Sequence, residues 1–181
     1  MSNGGASQGQ EGAVAPRKIK LLFSATANEQ LYDLVELKVS GDGNCHSRSL
    51  SYQIYRSSDH HKTVRQQVVD QLRFYPELYA AYVPMPYDDY LKKMSTSSEW
   101  RDHVMLQAAA DAFGVKIFCQ FDAKTNRVSK SIHLSQHGVF LKNTPEILPC
   151  SQKSNRIIFL SFWAEVHYNS IYPEGELPIM E

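Results

Sequence analysis

The chain has 181 residues, of which 43% are hydrophobic, so it is long enough for one domain with a packed core. Its 19 basic residues balance its 19 acidic residues, which disfavours bulk electrostatic binding to nucleic acid or to an anionic membrane. No apolar run reaches the roughly 18 residues of a spanning helix. We therefore expect neither a nucleic-acid partner nor a membrane partner.

The chain starts with a small, polar segment. Residues 1–16 carry no aromatic side chain and predict a disordered N-terminal tail, which leaves residues 17–181 as a single expected domain. The segment Gln30–Val39 is short and fits neither a helix nor a strand clearly. It is followed by turn-forming residues from Ser40 to Asn44.

Three helices are predicted from apolar residues that recur at helical spacing. They cover Cys45–Arg56, Asp59–Tyr75 and Ser98–Phe113. Pro76 ends the second helix. Ser98 is a plausible N-cap of the third, and Gly114 is a suitable residue just after it.

Between the second and third helices lies an aromatic stretch. It contains Tyr79, Tyr82, Tyr87 and Tyr90 among prolines. The stretch fits either peripheral packing or a surface or lid that binds a partner. The sequence leaves both interpretations open.

After Gly114 the residues become β-branched and aromatic. Strands are predicted at Val115–Phe121, Ile157–Trp163 and Val166–Tyr172, with weaker candidates at Val128–Leu134 and Gly138–Leu141. Helices would therefore fill the first half of the domain and strands the second. This ordering favours an α+β fold over alternating βαβ units.

Cys45 stands where a glycine-rich turn, Gly41–Asn44, enters a helix. The first turn of a helix offers backbone N–H groups and the positive end of the helix dipole, which stabilise a thiolate. The same N–H groups can hold a developing oxyanion. A nucleophile is one interpretation of Cys45, and a small core residue at a loop–helix junction is the other.

His167 is the natural base for such a thiol. Residues two apart share one face of a strand, so His167 and Asn169 would lie side by side, and Asn169 could fix the imidazole tautomer. This is the logic of a Cys-His-Asn protease. The alternative is a histidine on a half-exposed strand.

The three cysteines are Cys45, Cys119 and Cys150. Without a CxxC pair or an apolar export segment, they disfavour a disulfide framework. We therefore expect a reducing compartment, the cytoplasm or the nucleus. No pair of cysteines or histidines has the spacing of structural zinc ligands, so no metal site is predicted.

Several separated motifs together resemble the ovarian tumour (OTU) family of cysteine proteases, most of which are deubiquitinases. The motifs, in chain order, are Asp42-Gly43-Asn44-Cys45, Arg48, Trp100, Gln107-Ala108-Ala109 and His167-Tyr168-Asn169. The stretches 82–85 and 161–170 are most similar to plant members. The resemblance implies a papain-like α+β fold with a central, mostly antiparallel sheet flanked by helices.

The resemblance also implies roles for the residues of these motifs. Cys45 would attack the carbonyl of the last glycine of ubiquitin, with His167 as base and then acid. Asn169 would orient His167, although Asp42 is an alternative third member of the triad. Gly43 and Asn44 belong to the loop whose amides, with that of Cys45, form the oxyanion hole. Ubiquitin or polyubiquitin is the implied partner of a monomer, without metal or organic cofactor.

Ser47 departs from the family pattern, which has an aromatic residue at this place. Losing that volume beneath the helix would cost about 3–5 kcal/mol if no neighbour filled it. A silenced ubiquitin-binding module is therefore the alternative function. A third candidate is another Cys-His acyl-transfer enzyme, such as a transglutaminase or an arylamine acetyltransferase. Candidate acids for the basic tail of ubiquitin are Asp88, Asp89, Glu99 and Asp102.

Overall fold

The computed structural model describes residues 17–24, 29–96, 102–121, 146–163, 167–173 and 175–178. Within these ranges the strands form one six-stranded sheet in the order β1-β2-β6-β5-β3-β4. β3 and β5 run parallel, and the other neighbouring strands run antiparallel. The strands are β1 Arg17–Ser24, β2 Glu29–Leu37, β3 Lys116–Phe121, β4 Glu146–Ile147, β5 Ile157–Trp163 and β6 His167–Pro173.

The described helices lie between β2 and β3 in the chain. They are α1 Cys45–Tyr55, α2 His61–Phe74, α3 Pro76–Tyr79, a 3-10 turn at Ala80–Tyr82, α4 Tyr87–Ser95 and α5 His103–Phe113. α1 contacts β5 and β6, and α5 contacts β3 and β4. The α+β fold with a mostly antiparallel sheet is therefore confirmed.

The main core lies between the helices and one face of the sheet. The apolar stripe of α2, formed by Val64, Val68 and Leu72, is fully buried there, as is Leu160 of β5. Burial of each such side chain contributes about 1.5–3 kcal/mol. A smaller cluster of Leu34, Ile171 and Phe159 is separate from this core. Because neighbouring residues of a strand point to opposite faces, this second cluster lies on the other side of the sheet.

Local chemistry sets the ends of α5. The Asp102 carboxylate accepts the Met105 N–H at 2.9 Å and so caps the first turn. Gly114 ends the helix at φ 62°, and a Cβ there would lie 2.8 Å from the backbone nitrogen of Lys153. The predicted end is confirmed. The predicted start is wrong, because the helix begins at His103 after Asp102, and Ser98 lies outside the described residues.

The ordering of helices before strands is wrong at the N-terminal side. β1 and β2 precede every described helix, and β2 occupies the sheet between β1 and β6. The segment Gln30–Val39 is ambiguous in sequence because the charged Glu36 interrupts the apolar residues at 34–37, although all four of these residues are buried. The predicted α1, α2, β3, β5 and β6 agree with the structure to within two residues at each end.

The aromatic stretch forms short helices that pack on α2 and α5. Tyr79 and Tyr90 are buried, and their hydroxyls donate to Asp111 at 2.7 Å and to Asp102 at 2.9 Å. Tyr82 is exposed. Tyr87 is half-buried against the same core and donates its hydroxyl to the Leu72 carbonyl at 2.8 Å. Packing therefore accounts for three of these tyrosines.

Some predictions fall on residues outside the description. These are the tail 1–16 and the weak strands Val128–Leu134 and Gly138–Leu141. The assignment of 17–181 to one domain stays a prediction. No helix in the described part of the chain is long and apolar enough to cross a membrane.

Candidate active site

Cys45 is the first residue of α1 and is only 3% exposed. The turn before it takes Gly43 to φ 79°, a conformation that glycine adopts without strain. The Asn44 carbonyl accepts the Arg48 N–H at 2.9 Å, which starts the helical hydrogen bonding. The thiol therefore lies at the positive end of the α1 dipole.

Asp42 holds the turn in shape. Its carboxylate accepts the Asn44 N–H at 3.0 Å and pairs with the Arg48 guanidinium at 2.7 Å. The hydrogen bond from Arg48, opposed by partial burial, keeps the pKa of Asp42 well below its usual range. Because the Asn44 N–H is bound to Asp42, it is not one of the amides that the turn offers to an oxyanion. This corrects the expectation that Asn44 contributes its amide.

Arg65 of α2 supports the same turn, and no pattern in the sequence predicted it. Its guanidinium donates to the Asn44 side-chain oxygen at 2.5 Å and to the Thr96 carbonyl at 3.0 Å. Arg65 is 8% exposed, so its charge is largely removed from water. Arg65 follows Val64, the first residue of the apolar stripe of α2, and at such a position the sequence pattern predicts only that the side chain packs against its neighbours.

His167, at the start of β6, meets the thiol of Cys45. Burial acts to raise the pKa of Cys45, but hydrogen bonds to His167 and to the backbone of Tyr168 outweigh it, so that the pKa is lowered. The hydrogen bond to Cys45 in turn raises the pKa of His167, against the effect of burial. Opposite shifts of this kind favour the thiolate–imidazolium pair.

Asn169 lies two residues further along β6, on the same face as His167. Its side-chain oxygen is 3.0 Å from His167 Nε2 and accepts the Val39 N–H at 3.2 Å. Nε2 is thus directed at an acceptor, which leaves Nδ1 for the thiol. Asp42 instead faces Arg48 and Asn44. The structure therefore puts Asn169, and not Asp42, beside the imidazole.

His46 and Ser47, the two residues after Cys45, are both fully buried. The Ser47 hydroxyl donates to the Asn44 carbonyl at 3.0 Å. The neighbouring His46 ring packs 4.8 Å from the Tyr168 ring, and burial lowers the pKa of His46 to about 3. α1 is therefore a regular helix with serine at position 47.

The other candidates lie in different surroundings. Asp102 is engaged with Tyr90 and Met105, so it is corrected from a substrate acid to a helix cap. Asp88 and Asp89 are exposed in the first turn of α4 and remain candidates. Glu99 lies outside the described residues. Burial raises the pKa of Cys119 to about 12, so this thiol is not a competing nucleophile.

Comparison with known proteins connects this geometry to a family. The model of the OTU-like cysteine proteases matches residues 40–155. The chain is 58% identical to OVARIAN TUMOR DOMAIN-containing deubiquitinating enzyme 9 of Arabidopsis thaliana, covering 84% of this chain and 39% of that protein. It is 50% identical to enzyme 10 of the same organism, covering 79% of this chain and 36% of that protein. The chain thus spans less than half the length of these relatives.

Solved structures share the fold. The OTU domain of OTUD1 superposes with a TM-score of 0.58 at 16% identity, covering 77% of this chain and 85% of that chain. An OTU domain in complex with ubiquitin also gives a TM-score of 0.58 at 16% identity, covering 81% of this chain and 78% of that one. At this identity the likeness shows the fold alone.

Proposed function

The chain belongs to the OTU-like cysteine proteases, and on this basis we propose that it is a thiol-dependent deubiquitinase. The proposed reaction is hydrolysis of isopeptide or peptide bonds at the C-terminal glycine of ubiquitin. The observation that carries the proposal is the alignment of Cys45, His167 and Asn169, brought together from opposite ends of the domain. The names of the relatives, which are deubiquitinating enzymes, support the choice of substrate.

In the first step the Cys45 thiolate attacks the carbonyl carbon of the glycine. A C–S bond forms, and the carbonyl electrons move to oxygen. The amide of Cys45 and the Gly43 side of the turn are the groups placed to hold that oxyanion, because Asp42 binds the Asn44 N–H. When the C–N bond breaks, the His167 imidazolium donates its proton to the leaving amine.

In the second step water hydrolyses the thioester. Neutral His167 takes a proton from the water, whose oxygen attacks the same carbonyl carbon, and the C–S bond breaks. Ubiquitin leaves as the carboxylic acid, which releases its remaining proton to solvent and becomes the carboxylate, and the Cys45 thiolate and the His167 imidazolium are restored. Asn169 holds Nε2 throughout both steps, so that Nδ1 faces the reacting sulfur.

The proposal is tested with ubiquitin that carries a C-terminal propargylamide. The parent protein, Cys45→Ala and His167→Ala are incubated with this probe, and intact mass is measured. We expect the parent to gain the mass of one ubiquitin and Cys45→Ala to gain nothing. Cys150, the exposed thiol, is the internal control, because it should stay unmodified.

Three other results would replace the proposal. A folded parent that binds ubiquitin without reacting would be a binding module with a silenced site. A parent that reacts only with the equivalent NEDD8 probe would act on a different modifier. Reaction of neither kind, with turnover of a small acyl donor, would instead favour another Cys-His acyl-transfer enzyme.

We propose a reducing compartment, the cytoplasm or the nucleus, as the place of action. The support is chemical, because a thiolate nucleophile works only while it is reduced and all three cysteines are free. Fractionation of cells that express a tagged protein tests this. Recovery in a secretory fraction would contradict it.

A further inference from the structure

A buried glutamate contacts Asn169, the side chain that holds His167. Glu36 of β2 is 1% exposed, and its Oε1 accepts the Asn169 side-chain N–H at 3.1 Å. The Ser161 hydroxyl donates to the same oxygen. No motif of the sequence pointed to Glu36, and Ser161 was included only as the first residue of the stretch 161–170, without a role.

Strand register explains why these three side chains meet. Ser161 and Asn169 are directly paired across β5 and β6. Glu36 pairs with Ile171, two residues beyond Asn169, so it is the diagonal neighbour of Asn169 on the same face. Glu36, Asn169 and Ser161 therefore lie side by side on three adjacent strands, and Asn169 in turn contacts His167.

The contacts of Asn169 allow only one orientation of its amide. Glu36 supplies a carboxylate oxygen that accepts hydrogen bonds, so the NH₂ group must face it. The Val39 backbone supplies an N–H, so the carbonyl oxygen must face that side, where His167 also lies. A flipped amide would set donor against donor at Val39 and acceptor against acceptor at Glu36.

This orientation decides the state of the imidazole. An oxygen facing His167 Nε2 requires the proton to be on Nε2 in the neutral ring, which leaves the Nδ1 lone pair for the thiol. An NH₂ group in that place would favour the opposite tautomer, which cannot accept the proton of Cys45. A wrong tautomer is costly in triad enzymes even when the geometry is intact.

We propose that Glu36 is a positioning residue of the active site, which fixes the amide orientation of Asn169 and thereby the tautomer of His167. The expected effect on turnover rests on the proposed function. The expected effect on the reactivity of Cys45 does not, because thiol reactivity can be measured without ubiquitin. Ser161 supports Glu36 from the neighbouring strand.

An exchange of donor and acceptor tests the proposal. Asn169→Asp sets a second carboxylate against Glu36, and two carboxylates at this distance must share a proton or move apart. Adding Glu36→Gln to that variant restores one donor facing one acceptor, with the roles reversed, and the Ser161 hydroxyl can turn to accept. We expect Glu36→Gln to lower kcat in the parent but to raise it about tenfold in the Asn169→Asp background.

The measurements are kcat and KM on a fluorogenic ubiquitin amide, and the pH profile of Cys45 alkylation by iodoacetamide, read by peptide mass spectrometry. The amide of Glu36→Gln can present either its oxygen or its NH₂ group to Asn169, so it no longer selects a single orientation. Glu36→Gln should therefore lower kcat with KM unchanged and raise the midpoint of the alkylation profile. Asp111→Asn is the matched control, because Asp111 is another buried carboxylate, bound to the Tyr79 hydroxyl away from Cys45. It should lower the melting temperature and leave the midpoint at the parental value.

Equal effects of Glu36→Gln in the parent and in the Asn169→Asp background would overturn the inference. So would a parental alkylation midpoint in Glu36→Gln. If the parent shows no Cys45-dependent turnover, the proposed function fails. The alkylation midpoints of the single and double variants still decide the role of Glu36 in that case.

Discussion

Replacement of Arg65 by methionine tests whether the nucleophile turn is held from α2. Methionine keeps an apolar stem of similar length but donates no hydrogen bond. Asn44 and Thr96 would each lose a charged donor, which they now contact at 2.5 Å and 3.0 Å. Such bonds contribute about 1.5–3 kcal/mol each.

Part of this loss is offset. Arg65 is largely buried, so its charge is held against a desolvation penalty, which also lowers its pKa. Methionine relieves that penalty. We expect the free energy of unfolding to fall by about 2–3 kcal/mol. For a chain of this length that is a fall of about 4–12 °C in melting temperature.

The effect on turnover follows from how many contacts of Asn44 remain. Its N–H still binds Asp42, and its carbonyl still accepts from Ser47. A displacement of about 1 Å would cost on the order of 100-fold. Because these contacts limit the movement, we expect kcat on a fluorogenic ubiquitin amide to fall about tenfold, with little change in KM.

Two further variants control this experiment. Arg73→Met removes an exposed ion pair with Asp70 from the same helix and should change neither kcat nor stability measurably. Arg65→Lys keeps the charge but not the forked geometry, so it should lie between the parent and Arg65→Met. If Arg65→Met loses stability and keeps the parental kcat, Arg65 supports the fold and not the turn, and the reasoning is refuted.

Three more outcomes follow from the structure. Alkylation of Cys45 should reach half its maximal rate at a pH below the ordinary pKa of a thiol, since a lowered pKa gives thiolate at lower pH. In His167→Ala the hydrogen bond that lowers the pKa of Cys45 is lost while burial still raises it, so the midpoint should rise by about one pH unit. Ser47→Phe should lower the free energy of unfolding by about 1–3 kcal/mol, because Ser47 is fully buried; a higher melting temperature would show unfilled space instead. Asp111→Asn should lower the free energy of unfolding by about 1–3 kcal/mol, because asparagine keeps only one of the two acceptor oxygens that now bind the Tyr79 hydroxyl and the Cys150 N–H. A fall in kcat, measured at a temperature where the variant is folded, would contradict the separation of Asp111 from the site.

Helical periodicity and runs of β-branched and aromatic residues predicted most of the regular elements. The stripe Val64, Val68 and Leu72 identified α2, and apolar runs identified β3 and β5. β2 was not predicted because the charged Glu36 interrupts its apolar residues, although Glu36 is itself buried. α3 and α4 were not predicted because they are short and depend on tertiary hydrogen bonds of Tyr79 and Tyr90, which the sequence does not show.

The chemistry of the site was predictable where it has a local signal. A turn of glycines before Cys45, and a His-x-Asn strand, can be recognised from spacing. Arg65 and Glu36 have no such signal, since each is a charged residue in an apolar setting whose partner is distant in the chain. A buried charge in a core segment must have a partner, but the sequence does not say which.

The two buried charges have one feature in common, which is that each acts on an asparagine side chain. An asparagine amide presents a donor at one end and an acceptor at the other, so it can bind in two orientations. Arg65 can only donate and selects the oxygen of Asn44. Glu36 accepts and selects the NH₂ group of Asn169.

Each charge stabilises the fold by less than its hydrogen bonds alone would, because burial removes it from water and offsets part of the gain from pairing. An apolar side chain of similar volume would fill the same space at least as well. It would, however, leave the asparagine amide free to turn. Asn44 directly precedes Cys45, and the amide of Asn169 holds His167. Substitutions at Arg65 and Glu36 should therefore reduce kcat by a larger factor than substitutions of equal thermal cost elsewhere in the core, with Asp111→Asn as the standard of comparison.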